Sequence, residues 1–73
     1  MFTIKIFLGS GEVFTQDAPV DTFAEVQRYA CHKVSKETGV NKVQLFDVID
    51  SVYYVCEKGS ERILAVVIIT RTH

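Results

Sequence analysis

The sequence predicts an α+β domain of ββαβββ order, with one helix packed on one face of a four- to five-stranded sheet, mixed or antiparallel. Three observations predict it. The N-terminus alternates apolar and polar residues with period two, a single capped segment in the middle has helical spacing, and the rest is rich in β-branched runs. At 73 residues the chain reads as one small domain, 1–73. Folding at that size buries roughly 60% of the surface the unfolded chain exposes. A composition of 48% hydrophobic and 23% charged residues, with one Pro, excludes a disordered or low-complexity chain.

In the first segment Phe2, Ile4, Ile6 and Leu8 share one face, and Thr3, Lys5 and Phe7 the other. Gly9-Ser10-Gly11 supplies the positive φ of a hairpin turn, and Glu12 to Gln16 reads as the returning strand. A three-residue loop sets Val13 beside Phe7, and a two-residue loop sets Phe14 there. Read as a phosphate cradle, the Gly-Ser-Gly lacks the Lys and the following helix that a P-loop needs. Asp17-Ala18-Pro19-Val20 is read as breaking the sheet.

The helix starts at a T-x-x-E capping box, Thr22 with Glu25. Phe23, Val26, Ala30 and Val34 then form one narrow apolar stripe, flanked by Cys31. Asp21 and Glu25 come early and Lys33 and Lys36 late, which suits the macrodipole. Gly39 is a natural C′ residue, with Val40 placed to fold back on Val34. Val43 to Ile49 reads as a strand whose phase shifts near Leu45-Phe46, as at a bulge. Val52 to Glu57 is another β-rich run, and Lys58-Gly59-Ser60 a turn. Ile63 to Ile69 is apolar on both faces, as strands in the middle of a sheet are.

Catalytic and metal chemistry find little support. Cys31 and His32 are adjacent, and helical neighbours point about 100° apart, so they do not pair as nucleophile and base. There is no C-x-x-C or H-x-x-x-H spacing for zinc, and His73 reads as a frayed terminal residue. Asp17, Asp21, Asp47, Asp50, Glu57 and Glu61 are scattered, each with a role as cap, turn former or edge residue. No catalytic, cofactor-binding or metal site is assigned, and no cofactor or small-molecule substrate is expected of a chain with so little room for a pocket. The two cysteines read as reduced, buried thiols of a cytoplasmic protein, the alternative being a Cys31–Cys56 bridge.

Eight basic and nine acidic side chains give a net charge of −1, which argues against nucleic acid as the main partner. A minor basic cluster remains in Arg28, Lys33, Lys36 and Lys42, diluted by Glu25 and Glu37. The longest apolar run, Ile63 to Ile69, falls short of the ~20 residues of a membrane span. No basic leader with a small-residue cleavage site opens the sequence, so secretion is not expected.

The element order, with the placing of Met1-Phe2-Thr3-Ile4-Lys5-Ile6, Asp21-Thr22-Phe23-Ala24-Glu25-Val26 and Gln44-Leu45-Phe46, resembles the ubiquitin-like β-grasp superfamily. The resemblance covers nearly the whole chain at the level of pattern. It implies first and last strands parallel at the sheet centre, with the helix across one face. The ending Thr70-Arg71-Thr72-His73 lacks the terminal Gly-Gly of conjugated modifiers and sulfur carriers, so those activities are not implied. Val52–Glu57 and Glu61–Thr70 also read as a direct hairpin, which makes a C-terminal meander instead. Both connections stay open.

A single helix covers one face of such a sheet. The other face is expected to carry Phe7, Val13, one or other of Tyr53 and Tyr54, and Val66 and Ile68 of the last strand. An uncovered apolar face of that kind marks a protein interface. The expected function is a non-catalytic protein-binding module, a regulator or inhibitor of a larger partner. Small modules of this type are common in phage and mobile elements, an association that no residue here carries. The alternative is a structural protomer or accessory subunit whose apolar face closes a homodimer. The candidate partner-binding residues are Phe7, Val13, Tyr53, Tyr54, Val66 and Ile68.

Overall fold

The structure, a computed structural model, describes residues 1–60 and 62–71. The readings made of Glu61 and His73 therefore lie outside the described residues. Six elements follow in order: β1 (Phe2–Leu8), β2 (Val13–Ala18), α1 (Phe23–Thr38), β3 (Val43–Ile49), β4 (Val52–Glu57) and β5 (Ile63–Arg71). The strands form one five-stranded sheet in the order β2-β1-β5-β4-β3, and every neighbouring pair is antiparallel. The fold is thus α+β, a helix on an antiparallel sheet.

β1 and β5 are central neighbours, as the β-grasp resemblance implies, but they run antiparallel rather than parallel. Counting reversals explains this. The β1–β2, β3–β4 and β4–β5 connections each reverse the chain, whereas the helix carries it back so that β3 restarts in the direction of β2. An odd number of reversals leaves β5 opposite to β1. The hairpin of β4 with β5 is the connection the chain adopts.

The core forms where the alternation of β1 meets that of β5. Ile4 faces Ile69, Ile6 faces Val67 and Leu8 faces Ala65, all buried. Across them lie Val26, Ala30 and Val34 of α1, each fully buried, with Val55 from β4. Each such aliphatic side chain contributes roughly 1.5–3 kcal/mol on burial. Phe23, at the head of the helical stripe, meets Phe2 edge-on at 5.7 Å and Tyr53 at 5.8 Å between ring centroids.

Both helix ends obey the sequence. Thr22 is the N-cap; its hydroxyl oxygen accepts the Glu25 N–H at 3.3 Å while its O–H donates to the Glu25 carboxylate at 2.8 Å. The helix stops at Gly39, whose φ of 77° is left-handed and whose N–H returns to the Ser35 carbonyl at 2.9 Å. Val40 packs against the core, held there by the Ser35 hydroxyl donating to its carbonyl.

Two local expectations are corrected. β2 extends to Ala18, because Ala18 is buried opposite Phe2 and the Thr3 hydroxyl bonds Asp17 at 3.0 Å; the sheet breaks only at Pro19, which has no N–H. The irregularity in β3 falls between Asp47 and Ile49, not at Leu45-Phe46. Regular pairing holds through Phe46 because Leu45 opposite Val55 still reaches the core. A second irregularity, between Val55 and Cys56 in the pairing with β5, lets the successive residues Leu64 and Ala65 both join the core.

No disulfide joins Cys31 and Cys56. Cys31 lies on the helix, whereas Cys56 alternates with the core residue Val55 and so sits on the opposite side of the sheet. Cys56 is buried as expected, and Cys31 is only half-buried.

The cap carries a measurable share of stability. Thr22→Ala combined with Glu25→Ala is expected to lower unfolding free energy by roughly 1–2 kcal/mol, read from the urea midpoint. The turn between β3 and β4 offers the opposite test. Ser51 has φ 67°, a left-handed conformation that costs an ordinary residue about 1–2 kcal/mol. Ser51→Gly removes that strain at some loss of chain entropy, so a rise of about 0.5 kcal/mol is expected; a fall would mean the serine is favoured there.

Candidate functional site

The register places the outward-facing residues of all five strands in rows across the sheet. Starting from the hairpin, Leu8 N–H bonds the Glu12 carbonyl at 2.9 Å and Gly11 N–H the Leu8 carbonyl at 3.0 Å. This closes a three-residue loop with Gly11 at φ 99°. The loop sets Val13 opposite Phe7. Phe7 lies opposite Val66, Val66 opposite Tyr54, and Tyr54 opposite Phe46. One unbroken row, Val13–Phe7–Val66–Tyr54–Phe46, therefore runs from edge to edge on the face away from the helix.

A second row beside it reads Thr15–Lys5–Ile68–Val52–Ile49. Its β5, β4 and β3 members extend the apolar surface. Beyond this second row Asp17, Thr3 and Thr70 make a polar border, tied by the Thr3–Asp17 hydrogen bond. In these three rows the charged groups are Lys5 and Asp17, one of each sign. Exposure rises from the centre outward: Val66 and Tyr54 are half-buried by their neighbours, Phe7 is 36% exposed, Phe46 43% and Val13 53%.

Five of the six expected partner-binding residues, Phe7, Val13, Tyr54, Val66 and Ile68, share this face. Tyr53 does not, and its assignment is corrected. It is 5% exposed and lies on the helix side with Val55, packed against Phe23. Burial, with the Asp47 and Asp50 charges added, pushes its phenol above the ordinary tyrosine range despite a hydrogen bond with Gln27. Its role is structural. Phe46, Val52 and Ile49 also belong to the face, although the sequence did not single them out: Val52 shares it with Tyr54 by alternation, and Ile49 reaches it through the β3 irregularity between Asp47 and Ile49.

The titratable groups elsewhere are dispersed. Glu25 is occupied by the cap, Asp17 by Thr3, and Glu57 by the Ser60 hydroxyl at 2.8 Å and by Arg62 at 3.8 Å. Burial pushes the Cys31 thiol upward, which disfavours its thiolate. Among the described residues no group of three or more His, Cys, Asp or Glu stands close enough to hold a metal ion, and no helix is long and apolar enough to cross a membrane. Of the minor basic cluster, Arg28 and Lys42 line a groove on the helix side. Lys33 instead lies over the Phe14 ring at 4.8 Å.

Against protein-family models, curated proteins and solved structures alike, the chain finds no match.

Proposed function

We propose that this protein is a non-catalytic binding module that acts on a larger cytoplasmic protein, as a regulator or inhibitor, through the open face of its sheet. The observation that carries the reading is the row Val13–Phe7–Val66–Tyr54–Phe46, which leaves three aromatic rings aligned on one side of a five-stranded sheet. A small domain has little apolar surface to spare, and contiguous apolar exposure is uncommon unless something covers it. Aromatic anchors within a polar border match the composition of interface centres.

Size and charge describe the partner. The molecule measures 36 by 21 by 20 Å, so the face taken whole is on the order of the ~800 Å² that each side of a standard interface buries. Lys5 and Asp17 cancel, so electrostatic steering is weak and the matching surface is apolar and near-neutral. The carboxylates engaged in the cap, in the Thr3 bond and at the last turn support a role without acid–base chemistry.

Two charge insertions one residue apart test this. Phe7→Asp is expected to leave the fold intact, since the ring lies outside the core, and to weaken partner binding by roughly 2 kcal/mol or more. Ile6→Asp places a charge between Val67 and Phe14 and is expected to unfold the chain. Thermal melts rank the two variants. Sedimentation at several concentrations then separates a foreign partner from a second copy. A wild-type dimer that Phe7→Asp dissociates would establish the homodimer instead. Equal unfolding by both variants would make the open face part of the core and end the binding reading.

A further inference from the structure

On the opposite side of the molecule a groove of about 700 Å³ opens between α1, the start of β3 and the turn after β4. Its polar lining is Arg28, His32 and Ser35 from the helix, Asn41 and Lys42 entering β3, and Lys58 from the turn. Arg28 and His32 are one helical turn apart and project side by side. Lys42 and Lys58 are held together by the Lys58 N–H donating to the Lys42 carbonyl at 2.9 Å. The fold thus brings three of the eight cationic side chains, and an imidazole, to one concavity.

No Asp or Glu lines the groove. Glu25 next to Arg28 is drawn to Thr22, and Glu57 next to Lys58 is drawn to Ser60 and Arg62. Among the described residues Arg28, Lys42 and Lys58 form no ion pair. Three like charges around one groove repel one another, in a protein whose net charge is −1; an anion seated among them reverses the sign of that energy. Arg28 and His32 also border a second, adjoining depression of about 410 Å³, lined further by Val20, Tyr29 and Glu25, whose carboxylate accepts from the Thr22 hydroxyl. The cationic groove therefore adjoins a depression with an apolar, aromatic wall.

The geometry points to a binding site for a phosphorylated small molecule, its phosphate held by Arg28, Lys42 and Lys58 and its organic part lying on Tyr29 and Val20. Arg presents a planar fork to phosphate oxygens and Lys a mobile point charge, a pairing suited to one or two phosphate groups. The near-neutral charge of the whole chain disfavours a long polyanion but does not bear on a ligand this compact. The site is an open groove outside the core, so it needs none of the interior volume that a chain of this size lacks.

Titration of the ¹⁵N-labelled full chain at low ionic strength tests it, with ADP and inorganic pyrophosphate as separate probes. Saturable shifts are expected at the amides of Asn41, Lys42 and Lys58, with ADP binding more tightly because only it reaches Tyr29. Arg28→Ala and Lys58→Ala should each weaken ADP by about tenfold, while Lys36→Ala, outside the groove, should change nothing. The same spectra report whether each variant is folded, and Arg28→Gln replaces Arg28→Ala if the latter is not. Absence of saturation by about 10 mM ADP, or equal weakening by Lys36→Ala, would overturn the site. Equal affinity for the two probes would overturn the organic part, leaving a plain anion pocket.

Discussion

The constraint on which the molecule depends is the mismatch between one 16-residue helix and five strands. A helix with a narrow apolar stripe can seal one side of a sheet, and here Val26, Ala30 and Val34 seal the side built from Ile4, Ile6, Val67 and Ile69. Among the described residues no element is left to seal the other. The central strand β5 is nevertheless apolar on both sides, with Val66 and Ile68 on the open face between β1 and β4. An apolar open face follows from the same β-branched run that makes the core.

This explains why the core was legible in the sequence and the candidate face only partly so. Alternation in β1 reports its two faces directly, since a one-residue slip would put Ile4 and Ile6 in water. The helix declared itself through Thr22, Glu25 and Gly39, residues whose side chains or φ angles do chemistry at helix ends. Tyr53 and Tyr54 carry no such label. Which ring faces inward is set by register with β5, where Tyr53 meets Val67 and Tyr54 meets Val66, and register is a tertiary property. Strand direction was hidden for a similar reason. Local pattern shows where a chain turns, but whether β5 runs with β1 or against it depends on the parity of all the turns between them.

The edge strands show how an open apolar face is kept from being an open edge as well. β2 carries Thr15, Gln16 and Asp17, polar residues that do not invite pairing. β3 is more apolar, yet its pairing slips between Asp47 and Ile49, and a bulge there twists the edge out of the flat template another strand would need. Recognition by the face and resistance at the edges are thus compatible: a partner can lie on the sheet without extending it.

The two candidate surfaces divide the chemistry of the chain between them. The open face collects aromatic and aliphatic side chains with cancelling charges, and the groove beside α1 collects cations with no carboxylate in its lining. They lie on opposite sides of the sheet and share no residue. A ligand in the groove would touch the helix, the entry to β3 and the β4–β5 turn together, and so would favour whichever arrangement of those three elements fits it. β3 and β4 also supply Phe46 and Tyr54 to the open face. β3 and β4, which the groove adjoins at the entry to one and the exit from the other, are thus the elements common to both surfaces.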